Sequence, residues 1–300
     1  MLSAEDRDLL GLAPELKSAR RPSAVSQVLR AIRDDVERGE VTWEVLGKSG
    51  GAVEYRILVA STRELRERAY RLAHRVYCRS GYAGLNQDGW CVSPYDAQAQ
   101  TLTLLIEDFS GQDVATVTLT FDSPSGLPCD EIFGLEIDTL RAQGRKVVEV
   151  TRLAMEECHA HSKTLLVCLF NFIYVFARRV RADSDFVIEV NPRHVSYYNR
   201  LLLFEVQGSE RPCPRVQGAP AVLLRLDLSV PEREGKRVRG AGPQANERSL
   251  YPHFYSWLEE GAIAEFLAKR QQPMSEAEAR YFRLDQVAPL LEEPLDVFAD

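Results

Sequence analysis

The run KVVEVTRLAM, residues 146–155, places two charges inside a segment that is otherwise typical of a buried β-strand. Burying a charge is costly unless it is paired. Strict alternation along a strand would put Glu149 and Arg152 on opposite faces of a sheet. A β-bulge between them would bring both to one face and splay the sheet locally. Two interpretations follow: a structural ion pair at the end of a strand, or a carboxylate held in a cleft as a base beside an arginine that positions it or its substrate.

The surrounding segments predict a mixed fold. Alternating or apolar runs predict strands at 53–61, 185–191, 204–208 and 221–228, and a β-hairpin at 101–122. Helical periodicity predicts helices at 62–82, 162–182 and 192–203, and a short helix at the end of 123–145. This order predicts an α/β (α+β) protein built around a central sheet.

The two ends of the chain differ from the middle. SAVSQVLRAIRDDVERG, residues 23–39, carries an apolar stripe at helical spacing, so residues 1–50 are expected to form a helical N-terminal extension. Residues 51–230 are expected to form the main domain. The segment 231–249 is rich in Gly, Pro and charge, which predicts a linker followed by helices, so residues 231–300 form the C-terminal extension.

Composition excludes several classes of protein. The net charge of −7 argues against nucleic acid as a partner. No two of the six cysteines have the spacing of a zinc site, so no metal is expected. The most apolar run, 164–177, is shorter than a membrane span and is interrupted by Asn171. With an acidic N-terminus that lacks a long apolar core, the protein is expected to be cytoplasmic and without an integral membrane segment.

A second informative stretch is NPRHVSYYNRLLLFEV, residues 191–206. Asn191 is a favourable N-cap and Pro192 is at home in the first helical position, so a helix begins where the strand at 185–191 ends. A helix N-terminus at a strand end is a favoured site for ligands. Side chains of adjacent helical residues point about 100° apart, so at most one of Tyr197 and Tyr198 aims at a given point. From the pattern alone, these tyrosines belong to the rim of the core or to a catalytic site.

These segments together resemble the N-acyl amino acid synthases, a family of the GNAT acyltransferase superfamily that is related to the acyl-homoserine lactone synthases. The resemblance covers residues 55–230. It is carried by LPCDEIFGLEIDTLRAQGRKVVEVTRLAM (127–155), LFNFIYVFARR (169–179), NPRHVSYYNRLLLFEVQG (191–208) and APAVLLRLDL (219–228).

The resemblance implies a GNAT-like mixed sheet whose bulged middle strand admits the thioester arm of the donor. It implies that Glu149 is the base and Arg152 its organiser, and that Tyr198 protonates the leaving thiolate, with Tyr197 as the alternative. The residues that it implies for substrate binding are Arg71, Arg75, Tyr77, Asp96, Thr151, Leu153, Asn191, His194 and Tyr197.

The donor implied is an acyl-phosphopantetheine on an acyl carrier protein, with no tightly bound cofactor. No glycine lies between Lys146 and Val206 to build a pyrophosphate-binding loop, and EECHAHSK, residues 156–163, is acidic where a pyrophosphate would sit. The basic residues expected to receive the acidic carrier are Arg178, Arg179, Arg181 and Arg193, although a solvated helix end explains the first three equally well. An acyl tunnel lined by Leu169, Phe172 and Phe176 is expected, with ordinary core as the alternative for most of this set.

The expected activity joins a medium or long fatty acyl group to the amine of an amino acid, giving an N-acyl amino acid, a bacterial signalling lipid. The alternatives are a GNAT enzyme that uses acyl-CoA on another amine, and a non-catalytic module that binds acyl carrier protein.

Ala73 and Thr118 differ from the residues of the lactone synthases and argue against S-adenosylmethionine as acceptor. Leu203 replaces an expected glycine, so the helix is expected to end differently. The C-terminal extension either covers the tunnel or mediates a homodimer.

Overall fold

A computed structural model describes residues 29–35, 40–46, 53–160, 162–240 and 248–284. In this part of the chain, one mixed sheet has the order β1-β2-β3-β4-β5-β6-β7-β9-β8. Its strands are β1 (Leu29–Asp35), β2 (Glu40–Leu46), β3 (Val53–Val59), β4 (Leu102–Asp108), β5 (Asp113–Phe121), β6 (Val147–Met155), β7 (Asp185–Val190), β8 (Glu205–Cys213) and β9 (Ala219–Asp227). The helices are α1 (Arg63–Arg79), α2 (Asp130–Ala142), α3 (Lys163–Val175), α4 (Val195–Leu202), α5 (Ser229–Gly240), α6 (Trp257–Arg270) and α7 (Glu276–Tyr281). Only β6 and β7 run parallel; every other neighbouring pair is antiparallel.

The prediction of a helical N-terminal extension is wrong for the part of it that the structure describes. The ranges 29–35 and 40–46 form β1 and β2, which pair with each other and then with β3. Trp43 lies in the core against Phe172 and Phe266, with ring centroids 5.8 and 5.7 Å away. Pairing along the edge of the sheet and burial of this ring outweigh a local helical pattern. Residues 1–28 of the predicted extension lie outside the described residues.

The main core lies between one face of the sheet and α3, with α6 behind it. From Leu165 onward, every residue of α3 is buried, as its sequence predicts for a helix that is apolar all round. Helices α1 and α2 cover the other face, where α1 packs on Leu58 and Leu105 and α2 packs on Val187 and Leu223. Every sheet residue near the middle therefore faces one of two packed layers.

The sheet opens at its middle, as predicted. Thr118 of β5 pairs with Thr151, but Thr116 pairs with Ala154, so β6 carries one extra residue. Arg152 lies in this bulge with a φ of +48°. The extra residue therefore lies at Arg152 and not between Glu149 and Arg152, where it was predicted. The bulge nevertheless turns the Arg152 side chain toward Tyr70 of α1, on the same face of the sheet as Glu149. Strands β6 and β7 pair only up to Glu149, and beyond that residue they separate.

The C-terminal extension is helical, as predicted, over α6 and α7. The predicted linker is wrong in its first part, because residues 229–240 form α5. Asn171, which interrupts the apolar run of α3, accepts a hydrogen bond from the backbone N–H of Tyr255 at 2.9 Å and so ties this extension to the core. Residues 241–247 and 285–300 lie outside the described residues. Among the described helices, none has the length and apolar character needed to cross a bilayer.

Candidate active site

A cavity of about 870 Å³ occupies the gap where β6 and β7 separate. Its walls come from β6, the end of β7, the start of α4, the turn at 93–95 and the chain between β8 and β9. A volume of this size is typical of small-molecule and cofactor sites. The opening that the bulge creates therefore has the dimensions of a substrate site.

Glu149 lies on the wall nearest α2 and is almost completely buried. Its Oε2 accepts a hydrogen bond from the backbone N–H of Cys129 at 2.8 Å. Burial and, next, the neighbouring Glu189 carboxyl raise the pKa of Glu149 to about 8, against the opposing effects of Arg215 and the Cys129 N–H. The carboxyl is therefore mostly protonated at neutral pH and ionises just above it, which suits a residue that must take up a proton.

Glu189 and Arg215 belong to the same wall, and neither was predicted from the sequence. The Glu149 and Glu189 side chains leave the same face of neighbouring strands, and the Glu189 charge raises the pKa of Glu149. Arg215 binds both oxygens of Glu189 at 2.7 and 2.6 Å and reaches Glu131 at 2.9 Å. A pattern was available for Glu189, because it is the one acid inside the apolar run VIEV, just as Glu149 is inside VVEV.

Arg152 is fixed from behind the cavity. Its Nη1 donates to Asp96 Oδ2 at 2.9 Å, its Nη2 donates to Oδ1, and its guanidinium lies over the ring of Tyr70, 5.5 Å from the centroid. Asp96 also accepts the backbone N–H of Ser93 at 2.7 Å. Arg152 therefore fits both interpretations of the charged strand, because it forms a buried structural ion pair and also lines the cavity.

The opposite wall carries the two tyrosines. Asn191 caps the 3-10 turn at Pro192–His194 that leads into α4, and Tyr197 and Tyr198 both line the cavity. Their rings meet edge to face at 5.5 Å, and Tyr198 also packs on Phe170 of α3 and on Phe204. Burial raises the pKa of Tyr197 to about 12 and that of Tyr198 further, so both phenols keep their protons at neutral pH.

The predicted change at the end of α4 is wrong. Leu203 adopts the left-handed conformation, with φ +60° and ψ +32°, and its N–H donates to the carbonyls of Asn199 and Tyr198. This is the conformation that a glycine would supply at a helix C-terminus, so the helix ends in the usual way with a leucine under strain.

The residues predicted to bind substrate divide into two groups. Six of them line the cavity: Tyr77, Thr151, Leu153, Asn191, His194 and Tyr197. Arg71 and Arg75 lie outside the cavity lining and pair with Glu67 at 2.7 Å and Glu156 at 2.7 Å, so a substrate-binding role for them stays a prediction. Asp96 also lies outside the lining, behind Arg152.

The predicted acyl tunnel stays a prediction, and it is not part of the cavity in this structure. Leu169, Phe172 and Phe176 are fully buried core residues, and none of them reaches the cavity. Phe172 and Phe176 instead pack on other aromatic rings, such as Trp43 and Phe121. The apolar part of the cavity comes from the strands themselves, at Val150, Met155, Ile188 and Val190.

The predicted basic surface is not one surface. Helix α3 crosses back over the sheet, so Arg178, Arg179 and Arg181 at its end lie at the edge away from the opening. There Arg179 pairs with Glu260 at 2.8 Å, and Arg181 lies over the ring of Phe121. Carrier binding by these three arginines stays a prediction. Arg193, beside the cavity residue His194, donates to the hydroxyl of Tyr82 at 2.7 Å.

Comparisons with known proteins agree with this architecture. A family model described as the N-acyl amino acid synthase FeeM matches residues 68–227. The solved structure of FeeM, an N-acyl amino acid synthase from uncultured soil microbes, is 23% identical with a TM-score of 0.52, covering 58% of this chain and 90% of that one. The acyl-homoserine lactone synthase LasI is 14% identical with a TM-score of 0.46, covering 59% of this chain and 91% of that one. The CoA-dependent acyl-homoserine lactone synthase BjaI is 16% identical with a TM-score of 0.44, covering 70% and 97%.

No curated protein matches the chain. At 23% identity the FeeM structure shows the fold, a mixed sheet of the GNAT type with helices on both faces. The family model spans just over half of the 300 residues and includes most of α1, the bulged strand and both walls of the cavity. The chain therefore belongs to the FeeM family of N-acyl amino acid synthases and is an acyltransferase.

Proposed function

We propose that the protein transfers a medium or long fatty acyl group from the phosphopantetheine of an acyl carrier protein to the amine of an amino acid. The observation that carries this proposal is the cavity in the opened sheet, with the Glu149 carboxyl on one wall and the Tyr198 phenol on the other. A thioester that enters this gap meets a proton acceptor and a proton donor on opposite sides.

The reaction needs no covalent enzyme intermediate. The amine nitrogen attacks the thioester carbonyl carbon, a C–N bond forms, and the C–S bond breaks. The proton lost by nitrogen goes to the Glu149 carboxylate, and Tyr198 supplies a proton to the departing sulfur, so one proton enters and one leaves the protein. Arg152, held by Asp96 and the ring of Tyr70, maintains the shape of the wall beside Glu149.

The chain that follows β6 supports a carrier protein over free CoA. Three of its backbone N–H groups are already used: His159 donates to the Glu156 carbonyl, Ala160 to the Glu157 carbonyl and Ser162 to the His159 carbonyl. A pyrophosphate would need such groups free. A phosphopantetheine on a carrier protein lacks that pyrophosphate and makes no such demand.

The acidity of this segment is a weaker argument than the sequence suggests. The Glu156 carboxylate is bound by Arg75 at 2.7 Å and is also paired with Arg79. These arginines hold its pKa below the usual range, although burial opposes them. The charge that would repel a pyrophosphate is thus largely compensated. The occupied N–H groups remain as the argument for the carrier.

The two partners have separate surfaces in this proposal. The acyl chain lies against the apolar strand residues Val150, Ile188 and Val190, and the acidic carrier approaches Arg193, which is exposed. The amino acid acceptor occupies the polar wall beside Glu149, where an ammonium group finds carboxyl partners.

Expression in bacteria, followed by mass spectrometry of lipid extracts, tests the proposal because it identifies acyl group and acceptor together. Purified protein is then given the same acyl group on carrier protein and on CoA, with Glu149→Gln as the inactive variant. Glu136→Gln is the matched control, since this carboxylate pairs with Arg211 outside the cavity. The proposal predicts amide product, faster turnover from the carrier and loss of product in Glu149→Gln only. The proposal is overturned if folded wild-type protein makes no N-acyl amine, or if Glu149→Gln makes as much product as the wild type.

A further inference from the structure

Two neighbouring strands place carboxyl groups on the same face at the point where the sheet opens. Glu149 pairs in register with Val187 of β7, and Glu189 follows two residues later, so its side chain leaves the same face. Both carboxyls line the cavity; Glu149 is buried, and the side chain of Glu189 is only 10% exposed.

Two carboxyls that line one buried site do not both ionise readily, because like charges in a shared site raise the pKa of at least one of them. A proton held by one of the two carboxyls removes this repulsion and lets that carboxyl donate a hydrogen bond to the other. Arg215 binds both oxygens of Glu189, so the negative charge stays on Glu189 and the proton on Glu149. The titratable and charged groups that face this pair are Tyr77, Tyr95, Cys129, Asp130, Glu131, Cys213 and Arg215.

We propose that Glu149 and Glu189 work as a carboxyl pair that holds one proton, and that Glu189, held by Arg215, determines when Glu149 becomes the reactive carboxylate. Glu189 is a positioning residue in this scheme, since it acts through Glu149. The inference rests on the proposed function for its catalytic consequence. In the reactive form, the shared proton has left to water; Glu149 then takes one proton from the attacking amine and returns it to solvent after product leaves.

A purely structural role for Glu189 is the competing explanation. The pair of Arg211 and Glu136 has the same chemistry, links β8 to α2 and lies outside the cavity lining. It shows that this fold also uses arginine–glutamate pairs only to hold elements together. A structural role predicts lower stability and lower activity at every pH, whereas the carboxyl pair predicts a change in the pH dependence itself.

The first test is the pH profile of kcat/KM. The wild-type profile rises with pH as Glu149 ionises. Glu189→Gln removes the neighbouring negative charge, so the rising limb moves to lower pH by roughly one unit or more. Arg215→Gln removes the positive charge that favours ionised Glu149, so the limb moves to higher pH. Glu136→Gln leaves the limb in place. An unmoved limb in Glu189→Gln, or shifts of the same sign in Glu189→Gln and Arg215→Gln, overturns the inference.

The second test does not depend on activity. Protein labelled with ¹³C at the glutamate carboxyl carbons is titrated by NMR, and the signal that disappears in Glu149→Gln is assigned to Glu149. We expect this signal to titrate well above an ordinary glutamate and to fall back in Glu189→Gln. An ordinary titration in the wild type refutes the pair even if amide is formed. A raised titration without any amide product leaves the pair standing and refutes the proposed function.

Discussion

Replacing Arg152 by methionine leaves the buried Asp96 carboxylate without its counter-ion, and so tests what this ion pair contributes to stability. Methionine has a similar length but no charge, and it leaves the Asp96 carboxyl with only the Ser93 N–H as a partner. Asp96 is 3% exposed, so water does not replace the lost guanidinium. Breaking a buried ion pair by removing one partner costs about 3–5 kcal/mol of unfolding free energy.

The cost depends on pH in a defined direction. Burial already raises the pKa of Asp96 with Arg152 present, and removing the arginine raises it further. The folded state of the variant therefore binds a proton that the unfolded state releases above about pH 3.9. The deficit in stability is largest near neutral pH and shrinks as the pH falls and Asp96 becomes protonated.

Urea unfolding of four proteins measures this effect: wild type, Arg152→Met, Asp96→Asn and the double variant. We expect the double variant to be more stable than Arg152→Met, because the amide needs no counter-charge and still accepts the Ser93 N–H. Lys269→Met removes an exposed pair with Glu265 and should cost only about 0.5 kcal/mol. A loss below about 1 kcal/mol in Arg152→Met, or a double variant no more stable than it, would refute the reasoning.

Three further predictions concern single positions. Tyr198→Phe should lower kcat by about 100-fold or more if its phenol protonates the thiolate, while Tyr197→Phe should have a smaller effect; the reverse order would transfer the role to Tyr197. Gly208→Ala should lower the unfolding free energy by about 1–3 kcal/mol, since a Cβ would lie 2.7 and 2.9 Å from ring carbons of Phe133; an unchanged urea midpoint would contradict this packing. Leu203→Gly should raise the unfolding free energy by about 1 kcal/mol, since glycine adopts a positive φ without strain; a loss of stability would show that the leucine side chain contributes more than its backbone costs.

Local patterns predicted much of the fold correctly. The α1 helix with its Thr62 cap, the hairpin of β4 and β5, and the apolar α3 all appear where periodicity placed them. These elements depend on short-range spacing, which the sequence displays directly. The strands β1 and β2 were predicted as helix, because their conformation depends on pairing with β3 rather than on local preference.

The candidate site shows the same division. The two charged residues in VVEVTR predicted a bulge and an opening in the sheet. Burying Glu149 and Arg152 in a valine-rich strand is costly unless both charges find partners or reach a cleft. The partners of these residues, Asp96 and Glu189, are 56 and 40 residues away along the chain. The resemblance supplied Asp96 as a substrate-binding residue, but the structure makes it the counter-ion of Arg152.

By itself, the sequence determined that a buried strand must accommodate two charges and that a helix with two tyrosines begins at the end of a neighbouring strand. Only the tertiary structure decided which side chains meet. The direction in which α3 crosses the sheet carried its arginines away from the opening, and the separation of β6 from β7 placed Glu149 beside Glu189. The spacing of residues along the chain determines which side chains share a face of one helix or strand. Which side chains of other elements they contact depends on how the layers pack.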